Sequence, residues 1–516
     1  MIRTLLFLIA IVSGLYGQGQ AYVFKGKVVD KTDGLGLPGA SVAVRSSNAS
    51  VAADGDGNFS LNVLTTDSLL VRFIGYSDQV IAVNGQVDMV ISMTPSSTQL
   101  NEMVVTALGI SREEKSLGFA VGKMDVKTAT VIRDPNVVNS MQGKIAGVQI
   151  TKTSGGPEAS SRILIRGNSS VTNNNQPLVV IDGIPMDNTT IGTGGTWGGI
   201  DFGSPISDVN PDDIESLIVL KGPSAAALYG SRALNGVIVI TTKTAAGTKG
   251  WKSGMNSTTS VESAYILNKF QNKYGAGTGG KFKYTPEGIP FFETDRPSLP
   301  TYAGSWGPEM LGQRYIDWNG DTTTFSHQPD NYKKYFRTGY TLTNSFSASH
   351  GGKFPIRISF TDLRNKGITP TSTFKRNNLN LSNTGHITKK LEYAAKFTYA
   401  DQRAYNRVNQ SNGHNAARNI IMMPRNVSTE SMMNYEDSSE NEQVWYTNWG
   451  WIGNPFFTVE RNVNQDQRKR YIGNLSLNHQ TKEWLSIMGR IGMDNFNENR
   501  HNRIASRSFT SPNGEF

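Results

Sequence analysis

The side chains that carry most enzyme chemistry are sparse in this chain and poorly spaced for catalysis. None of the histidines belongs to a His-Glu-x-x-His sequence, the spacing at which one helix face binds zinc. The six are His327, His350, His386, His414, His479 and His501. A Gly-x-Ser-x-Gly motif, which would expose a serine nucleophile on a sharp turn, is also absent. The sequence therefore predicts a protein without catalytic residues, which is not an enzyme.

Two segments resemble ligand-binding loops but differ from them at the decisive positions. Residues 275–281 match the glycine spacing of a phosphate-binding loop, but Phe282 stands where a magnesium-binding Ser or Thr is needed. Residues 54–58 begin like a calcium-binding loop, but Phe59 replaces the glycine and Thr65 the glutamate that complete one. We interpret the first segment as a flexible loop and the second as a hairpin turn. No metal and no cofactor are expected.

The amino-terminal residues predict export from the cytoplasm. Residues 1–21 contain one positive charge, then an apolar run, then small residues, which is the pattern of a secretory signal peptide. No later apolar run approaches the roughly 20 residues that a transmembrane helix needs. The chain has no cysteine, so it has no disulfide and no thiol for a lipid anchor.

Composition leaves an outer-membrane protein possible and argues against nucleic acid as a partner. The 53 glycines, 18 tyrosines and 8 tryptophans suit strands, turns and aromatic residues at a membrane interface. The net charge of +9 fits a solvated surface, or else a pore or loops that meet anionic ligands. No dense Lys/Arg run with interleaved aromatic residues indicates nucleic acid. At 516 residues, several domains are expected.

Residues 22–95 predict a small β-sandwich. Strand-like runs recur at short intervals, and glycine-containing turns at 34–39, 54–57 and 84–85 separate them.

Residues 111–245 predict a glycine-rich α/β domain. Its expected elements include a helix over 135–146, strands near 161–167 and 177–183, a helix opened by Asn210 as its N-cap and Pro211 at its first position, and a helix over 224–229.

From residue 250 to 516 the pattern changes to long strands of period two. In residues 353–361, Ile356, Ile358 and Phe360 share one face, and the segments 390–399 and 484–494 repeat this alternation. Strands of about ten residues with apolar residues outside and polar residues inside are typical of transmembrane β-barrels, although a soluble β-sandwich gives the same alternation in shorter strands. Short connections that alternate with long ones, such as residues 402–466, favour the barrel.

Residues 101–110 form a short apolar segment between the first two predicted domains. Val104, Val105 and Thr106 favour an extended chain, but the segment is too short to build a core. An exposed strand has unpaired backbone donors and acceptors, so a partner sheet can add to it by β-augmentation. An edge strand of a neighbouring domain is the other explanation that the residues allow.

Several motifs in order resemble the SusC/RagA family of TonB-dependent outer-membrane transporters. The resemblance runs from about residue 22 to the end. The motifs are NEMVVTALGISREEKSLG at 101–118, SGGPEASSRILIRGN at 154–168, QPLVVIDGIP at 176–185, NPDDIESLIVLKGP at 210–223 and SAAALYGSRALNGV at 224–237.

The resemblance implies a mainly β fold in four parts after the signal peptide. Residues 22–95 would be a carboxypeptidase-regulatory-like β-sandwich, 96–110 a linker with the TonB box, and 111–245 the plug domain. Residues 250–516 would be the first strands of an incomplete transmembrane antiparallel β-barrel. About seven strand candidates occur from 254 to 495, fewer than a transporter of this class needs around its plug, so we expect a truncated amino-terminal part.

The same resemblance implies partners and a location. TonB, energised by its inner-membrane partners, would bind the TonB box at Glu102, Met103, Val104, Val105, Thr106, Ala107 and Leu108. A SusD-like surface lipoprotein would close over the barrel, and outer-membrane lipid would surround it. The location implied is the bacterial outer membrane, with the amino-terminal domain and the TonB box in the periplasm. The function implied is TonB-dependent import of an oligomeric nutrient, a glycan or a peptide; a secreted or surface β-domain protein for binding or adhesion is the alternative.

Within the plug, the motifs single out residues whose roles have two explanations. Arg162 and Arg166 lie four residues apart in a predicted strand, so they would share a face and contact either ligand or carboxylates on the barrel wall. Asp182 and Arg232 have the same two explanations. The remaining motif residues are Gly167, Gly183, Lys221, Gly222 and Gly230. Trp197, Asn173 and Asn174, in predicted plug loops, are candidate ligand contacts, and ordering of its own loop is the other explanation for Trp197.

Overall fold

A computed structural model of the chain divides between Met103 and Val104 into two compact units. It describes residues 21–47, 49–95, 103–105, 111–113, 121–124, 134–156, 159–171, 175–187, 192, 199–222, 229–277, 279–291, 304–410, 415–437, 439, 442–446, 452–505 and 508. Within those ranges, no helix combines the length and the apolar character needed to cross a membrane.

The first unit is a β-sandwich, as predicted. Its two sheets have the orders β4-β1-β7 and β3-β2-β5-β6. The strands are β1 (Tyr22–Asp30), β2 (Ser41–Val44), β3 (Ser50–Ala52), β4 (Asn58–Val63), β5 (Ser68–Arg72), β6 (Gln79–Ala82) and β7 (Asp88–Met93). Alternate side chains of each sheet point inward, so that Phe24, Val42, Leu69 and Met93 meet in one buried core.

Two short strands follow, β8 (Met103–Val105) and β9 (Ser111–Glu113), and they form a two-stranded sheet of their own. The backbone over Met103–Val105 is therefore extended, as the β-branched valines favour. Its partner strand belongs to neither sheet of the sandwich.

The part of the second unit over residues 121–245, called the plug below, is built on a five-stranded sheet of order β10-β15-β16-β13-β14. A separate hairpin joins β11 to β12. The strands are β10 (Val121–Met124), β11 (Val148–Lys152), β12 (Ser161–Ile165), β13 (Leu178–Ile181), β14 (Ile184–Pro185), β15 (Ile214–Leu220) and β16 (Val237–Thr242). The 3-10 helices are Val137–Met141, Pro205–Asp208, Pro211–Asp213 and Ser231–Ala233.

The helix expected over 135–146 is wrong in type and length. Only Val137–Met141 is helical, as a 3-10 turn capped by the Asn136 side chain, which accepts a hydrogen bond from the Val138 N–H. Val138, Met141 and Ile145 are buried together, so their spacing reflected core packing and not a regular α-helix. Residues 224–228 of the helix expected over 224–229 are outside the described part of the chain, so this expectation is not tested.

The rest of the second unit contains one seven-stranded antiparallel sheet of order β17-β22-β23-β24-β25-β28-β29, called the wall below. Its strands are β17 (Trp251–Glu262), β22 (Gly339–His350), β23 (Ile356–Lys366), β24 (Thr373–Thr388), β25 (Leu391–Tyr405), β28 (Val463–Lys482) and β29 (Leu485–Arg503). Every pair of neighbours is antiparallel and consecutive among these strands, which is how part of an up-and-down barrel is built.

The wall is apolar on the outside and polar on the inside, as predicted. Along β23, Ile356, Ile358 and Phe360 are exposed, whereas Arg357 and the two hydroxyl residues after it are buried against the plug. A water-soluble sheet would show the opposite pattern, because its apolar face would be the buried one. The alternation therefore indicates a sheet whose outer face meets lipid.

Connections between wall strands are all short at one end, whereas two of the three at the other end are long. The short end has residues 351–355, 389–390 and 483–484, and the other end has the long connections 263–338 and 406–462 and the short one 367–372. The long segments contain β18 (Lys283–Tyr284), β19 (Pro290–Phe291), β20 (Gln313–Ile316), β21 (Thr322–Phe325), α1 (Asn331–Tyr335), α2 (Ala416–Ile421), the 3-10 helix Ser431–Met433, β26 (Glu436–Asp437), β27 (Glu442–Gln443) and α3 (Pro455–Arg461). Trp318, Tyr335, Ile420 and Tyr446 pack into a core shared by the two.

Candidate functional site

The contact between the plug and the wall is the candidate site, and the plug contributes carboxylates to it. The 3-10 helices Pro205–Asp208 and Pro211–Asp213 both begin with proline, whose missing N–H is not needed at a first helical position. Asn210 caps the second helix, since its side chain accepts a hydrogen bond from the Asp212 N–H at 3.2 Å. The prediction of Asn210 as an N-cap and Pro211 at the first position is thus confirmed, in a shorter helix than expected.

Asp213 is the centre of the first group of contacts. Its carboxylate forms an ion pair with Arg357 of the wall, with 2.8 Å between Oδ1 and Nη2, and both side chains are more than nine-tenths buried. The Asn210 amide donates to Asp213 Oδ2 at 2.9 Å and to Thr361 Oγ1 at 2.8 Å. The group therefore links one plug turn to strand β23 by charged and neutral hydrogen bonds at once.

Asp208 is the centre of the second group. Arg468 Nη2 lies 3.0 Å from Asp208 Oδ1, and Arg470 Nη1 lies 3.4 Å from Asp208 Oδ2. Arg470 also makes a two-pronged contact with Asp494 of β29, at 2.8 and 2.6 Å. Asn378 donates to the backbone carbonyl of Asp208 at 2.7 Å. Asp208 is thus bound by side chains of β24 and β28, and Asp494 of β29 holds Arg470 in position.

Arg376 is a fully buried arginine that binds carbonyl groups. It donates to the backbone oxygens of Pro135, at 3.2 Å, and of Ser207, and to Asn378 Oδ1 at 2.9 Å. Its planar fork of donors suits several acceptors in fixed directions. It therefore connects two separate turns of the plug to β24.

Asp182 belongs to a third group near the short-connection end of the wall. Lys396 Nζ lies 2.6 Å from its carboxylate, and Thr242 of the plug donates to the same carboxylate from its N–H, at 3.0 Å, and its hydroxyl, at 2.7 Å. Asn474 donates to the Asp182 backbone oxygen at 3.2 Å. Of the two explanations for Asp182, the structure contains the ion pair between plug and wall.

These contacts fix the orientation of the plug and contribute little net free energy to its binding. Transfer of charges from water into a buried interface costs several kcal/mol per ion, and the attraction between partners offsets that cost without a large surplus. Removing one partner alone is strongly unfavourable. The arrangement can therefore hold one orientation of the plug and still separate when water enters.

The motif glycines lie where the backbone needs left-handed angles. Gly167, Gly183, Gly222 and Gly230 have φ values of 91°, 84°, 100° and 75°. Gly183 is also tightly packed, because a Cβ there would lie 1.8 Å from Nη1 of Arg490 on β29. A Cβ at this position would displace the Arg490 guanidinium, and any side chain would be strained at this φ.

The expectation that Arg162 and Arg166 share a strand face is wrong. Strand β12 ends at Ile165, and Arg166 has a φ of 61°, so the alternation stops before it. Arg162 is exposed and donates to Asn168 Oδ1 at 2.8 Å. Arg166 lies beside Gly222, where a Cβ would be 2.9 Å from its Nη1.

The other predicted plug residues occupy different places. Lys221 is half-buried, and its side chain lies against Gly122 of β10. Arg232 is exposed and lines a cleft of about 1370 Å³ between the plug and β29, with Asn235, Arg490 and Asp494 also on its surface.

Several predicted residues fall outside the described part of the chain. These are Glu102, Thr106, Ala107 and Leu108 of the TonB box, and Trp197, Asn173 and Asn174 of the plug loops. For Met103, Val104 and Val105 only the extended backbone of β8 is described.

Sequence reasoning missed the residues that join plug and wall, above all Asp208, Asp213, Arg357, Arg468 and Arg470. The signal was present: Arg357 alternates with two isoleucines, and Arg468 and Arg470 lie two apart in a period-two strand. Charged residues on the regularly spaced inner face of such a strand require buried partners. The sequence did not say which carboxylates those are.

Two family models match the chain. One, described as the TonB-dependent Receptor Plug Domain, matches residues 119–237. The other, described as the CarboxypepD_reg-like domain, matches residues 24–105.

Curated relatives extend the similarity beyond those two domains. TonB-dependent receptor SusC of Bacteroides thetaiotaomicron is 33% identical over 382 residues, covering 73% of this chain and 33% of the relative. TonB-dependent receptor P26 of Formosa agariphila is 28% identical over 509 residues, covering 96% of this chain and 45% of the relative. The chain thus spans less than half the length of these relatives.

A solved structure shares the fold. The RagAB peptide transporter has a TM-score of 0.53 at 20% identity, covering 77% of this chain and 43% of the solved chain. SusC and P26 are both TonB-dependent receptors, so the family is one of transport proteins and not of enzymes. Taken with the plug, the sandwich and the outward apolar wall, these similarities mean that the chain belongs to the SusC/RagA family of TonB-dependent outer-membrane transporters.

Proposed function

We propose that the protein imports an oligomeric nutrient across the bacterial outer membrane, with the plug displaced when TonB pulls on the amino-terminal tether. The observation that carries the proposal is the interface described above. Three plug carboxylates, Asp182, Asp208 and Asp213, form ion pairs with cations of the wall, two of them with buried arginines and Asp182 with the largely buried Lys396. The polar groups of such an interface can be hydrated when it opens, whereas exposing an apolar core of the same size to water would be strongly unfavourable.

TonB is the proposed source of force, and residues 102–108 are its proposed binding segment. An extended β8 over Met103–Val105 supports this, because a strand of a two-stranded sheet can add a further strand along its other edge. The tether would lie in the linker 96–110, between the sandwich 22–95 and the plug 111–245, with residues 250–516 forming the barrel part. Residues 1–21 are proposed to be a signal peptide.

The proposed partners on the outside are a SusD-like surface lipoprotein and the lipid of the outer membrane, with the sandwich and the TonB box in the periplasm. The relative RagAB is described as a peptide importer. For this chain a glycan or a peptide remains the proposed cargo class. Trp197, Asn173 and Asn174 are the proposed ligand contacts. The plug-motif residues from Arg162 to Arg232 are proposed to stabilise the plug fold and its position against the wall.

A reversible cross-link between plug and wall tests the displacement. A Cβ added at Gly492 of β29 would lie 2.8 Å from Cγ1 of Ile184 in β14, which is within disulfide reach. Since the chain has no cysteine, Ile184→Cys with Gly492→Cys would introduce a single pair. We expect import by the full-length protein to stop when the pair is oxidised and to return after reduction.

The matched controls are Ile184→Cys alone and Gly492→Cys combined with Ile184→Ala, because a Cβ at Gly492 would lie 1.8 Å from Cδ1 of an intact Ile184. Both should import under either condition. Undiminished import with the pair fully oxidised, as judged by electrophoretic mobility, would contradict plug displacement at this edge.

A separate experiment tests the tether. Deletion of residues 102–108 should abolish uptake and leave ligand binding to whole cells unchanged. Val104→Pro should act in the same direction, because proline cannot donate to a strand ladder, whereas Val104→Thr keeps strand propensity and should import normally. Uptake that survives the deletion would favour the alternative of a binding or adhesion protein without transport.

A further inference from the structure

The outer face of the wall changes abruptly from apolar to charged along its strands. On β25 the outward residues from Leu391 to Tyr399 are apolar or aromatic, and Asp401 and Arg403 follow them. Eight residue steps at about 3.4 Å give roughly 27 Å along the strand, or about 20 Å across a bilayer at the usual strand tilt. This length is close to the apolar band of outer-membrane barrels, so the charged residues begin at headgroup level.

Three cations lie side by side just beyond this border, on the side of the long connections. Strand register pairs Arg364 of β23 with Lys375 of β24, and Lys375 with Arg403 of β25. All three residues are exposed. The neighbouring residues Leu363, Phe374 and Ala404 are buried on the opposite face, which fixes the three cations on the outside. We call Arg364, Lys375 and Arg403 the cation row.

Carboxylates neutralise the cation row only in part. Asp362 contacts Arg364 at 2.8 Å, and Asp401 contacts Arg403 at 3.3 Å. Both carboxylates are recessed, with side chains 17% and 15% exposed, whereas both guanidinium side chains are 63% exposed. Exposed Lys366 and Lys469 flank the row on the same face. The patch of five cations and two carboxylates therefore has a net charge of +3 and presents its positive groups outward.

Like charges directly opposite each other across strands are unfavourable. A row of three is explained if an anion with several charges bridges it, because each cation then gains a charge-assisted hydrogen bond. The position limits the anion further. Just inward of the row, the rings of Tyr399 and Tyr471 pack with centroids 5.1 Å apart, as aromatic residues do at a membrane interface.

We propose that the cation row binds the phosphate groups of an anionic lipid headgroup in the outward-facing leaflet. This inference rests on one part of the proposed function, namely that the wall spans the outer membrane. Arg364 and Arg403 would each hold a phosphate oxygen with two N–H donors, and Lys375 would lie between them as a point charge. The lipid would thereby fix the tilt and depth of β23, β24 and β25 in the membrane.

Binding of a bisphosphorylated lipid A to the purified full-length protein, followed by native mass spectrometry, tests the proposal. The variant Arg364→Gln, Lys375→Gln, Arg403→Gln should bind about fivefold more weakly per cation removed, and so roughly a hundredfold more weakly in all. A control variant removes the same charges from the exposed surface of the sandwich, by Lys25→Gln, Arg45→Gln and Arg72→Gln. Arg72 is a close match for Arg364, because it forms an exposed ion pair with Asp78 at 2.9 Å. The control should bind as the unaltered protein does.

Three further measurements identify the source of the phosphate and guard against misfolding. Chemically dephosphorylated lipid A should bind weakly to all variants, and inorganic phosphate at millimolar concentration should not displace the intact lipid. The charge-conserving variant Arg364→Lys, Arg403→Lys should bind more weakly than the unaltered protein but more tightly than the triple glutamine variant, because lysine keeps the charge and loses the paired donors. Heat-modifiable electrophoretic mobility of each variant shows that the substituted strands still fold.

Equal lipid binding by the row variant and the unaltered protein would overturn the proposal, as would an equal loss in the sandwich control. Displacement by inorganic phosphate, or a protein that co-purifies through the row in place of lipid, would overturn it too. Outer-membrane fractionation and uptake are measured on the same variants. If the protein is absent from that fraction, the proposed function fails, whereas loss of lipid from a correctly inserted and transporting protein supports the inference alone.

Discussion

At the scale of single residues, charge pairs define how the plug meets the wall. Asp213 and Arg357 are 144 residues apart in the chain, and Asp208 and Arg468 are 260 apart, yet each pair is buried and in contact. Nothing local to either residue signals its partner. The positive φ of Arg166, at 61°, is another property that strand periodicity could not reveal, because the turn after β12 decides it.

The pair Asp213 and Arg357 gives a prediction about stability. Asp213→Leu alone should destabilise the plug–wall contact by about 3–5 kcal/mol, because it leaves Arg357 buried without a counter-charge. Asp213→Leu combined with Arg357→Met should recover part of that loss, since no buried charge is left unpaired, although the Asn210 amide and the Ser359 hydroxyl still lose an acceptor. Thermal unfolding of the four proteins in a double-mutant cycle measures the coupling, and additive effects would mean that the two groups do not interact in solution.

The pair Asp30 and Tyr76 gives a prediction about pH. The Tyr76 hydroxyl donates to the Asp30 carboxylate at 2.5 Å, and this bond, with one from Thr32, lowers the pKa of Asp30 below its usual range. The same contact with Asp30 raises the pKa of Tyr76 to about 12. Because the Asp30 pKa is lower in the folded state, its stabilisation is present above its unfolded pKa of about 3.9 and is lost as pH falls through the folded value.

For Tyr76 the change of stability with pH has the opposite sign. Its folded pKa is raised, so its stabilisation is complete below the unfolded pKa of about 10 and is lost as pH rises through about 12. The difference in melting temperature between the unaltered domain 21–95 and its Tyr76→Phe variant should thus be largest between about pH 5 and pH 9. A difference that does not change with pH would show that the hydroxyl does not contact a carboxylate. The domain can be studied alone because its core contains only its own residues.

At the scale of elements, short-range rules predicted most strands and the turns between them. The two sheets of the sandwich, the apolar-out alternation of β23 and the cap at Asn210 all follow from residue types within a few positions. The helix expected over 135–146 failed because Val138, Met141 and Ile145 satisfy a helical period and a packed 3-10 turn equally well.

Gly26 in β1 gives a prediction at this scale. A Cβ at Gly26 would lie 2.6 Å from Cζ of Phe59, its partner across β1 and β4, and 2.9 Å from the Met89 carbonyl oxygen. Gly26→Ala should therefore destabilise the sandwich by about 1–3 kcal/mol through overpacking. The cost should be smaller in a Phe59→Leu background, where the clashing ring atoms are missing. Ser92→Ala, on an exposed position of β7, is a control that should change the unfolding free energy little.

At the scale of the whole second unit, two opposite environments act on one sheet. The inner face of the wall carries buried charges that need partners on the plug, and the outer face carries exposed isoleucine and phenylalanine that need lipid. Each strand is stable only when both requirements are met. In the sequence, the period-two pattern fits both a transmembrane barrel and a soluble sandwich. The structure favours the barrel, because it places the apolar residues outside and the polar residues against the plug.

Ile358, in the middle of the outer apolar band, gives a prediction at this scale. Ile358→Arg should reduce stability in bilayers by about 2–4 kcal/mol, because a charge at the membrane midplane is poorly solvated. Thr373→Arg, on the outer face of β24 beyond the band, should cost at most about 1 kcal/mol. Denaturant unfolding from lipid vesicles compares the two, and equal effects would mean that the outer face of the wall does not meet lipid.

The sequence by itself determined the faces, turns and caps, because those depend on side-chain periodicity and on backbone preferences of residues such as Pro211 and Gly183. It also carried enough family motifs to indicate the plug and the transporter class. Only the tertiary structure decided which carboxylate meets which cation and that Arg364, Lys375 and Arg403 align in a row. Those contacts depend on strand register and on the position of the plug against the wall. The energy between two charges depends on their separation, and the sequence does not give that separation for residues far apart in the chain.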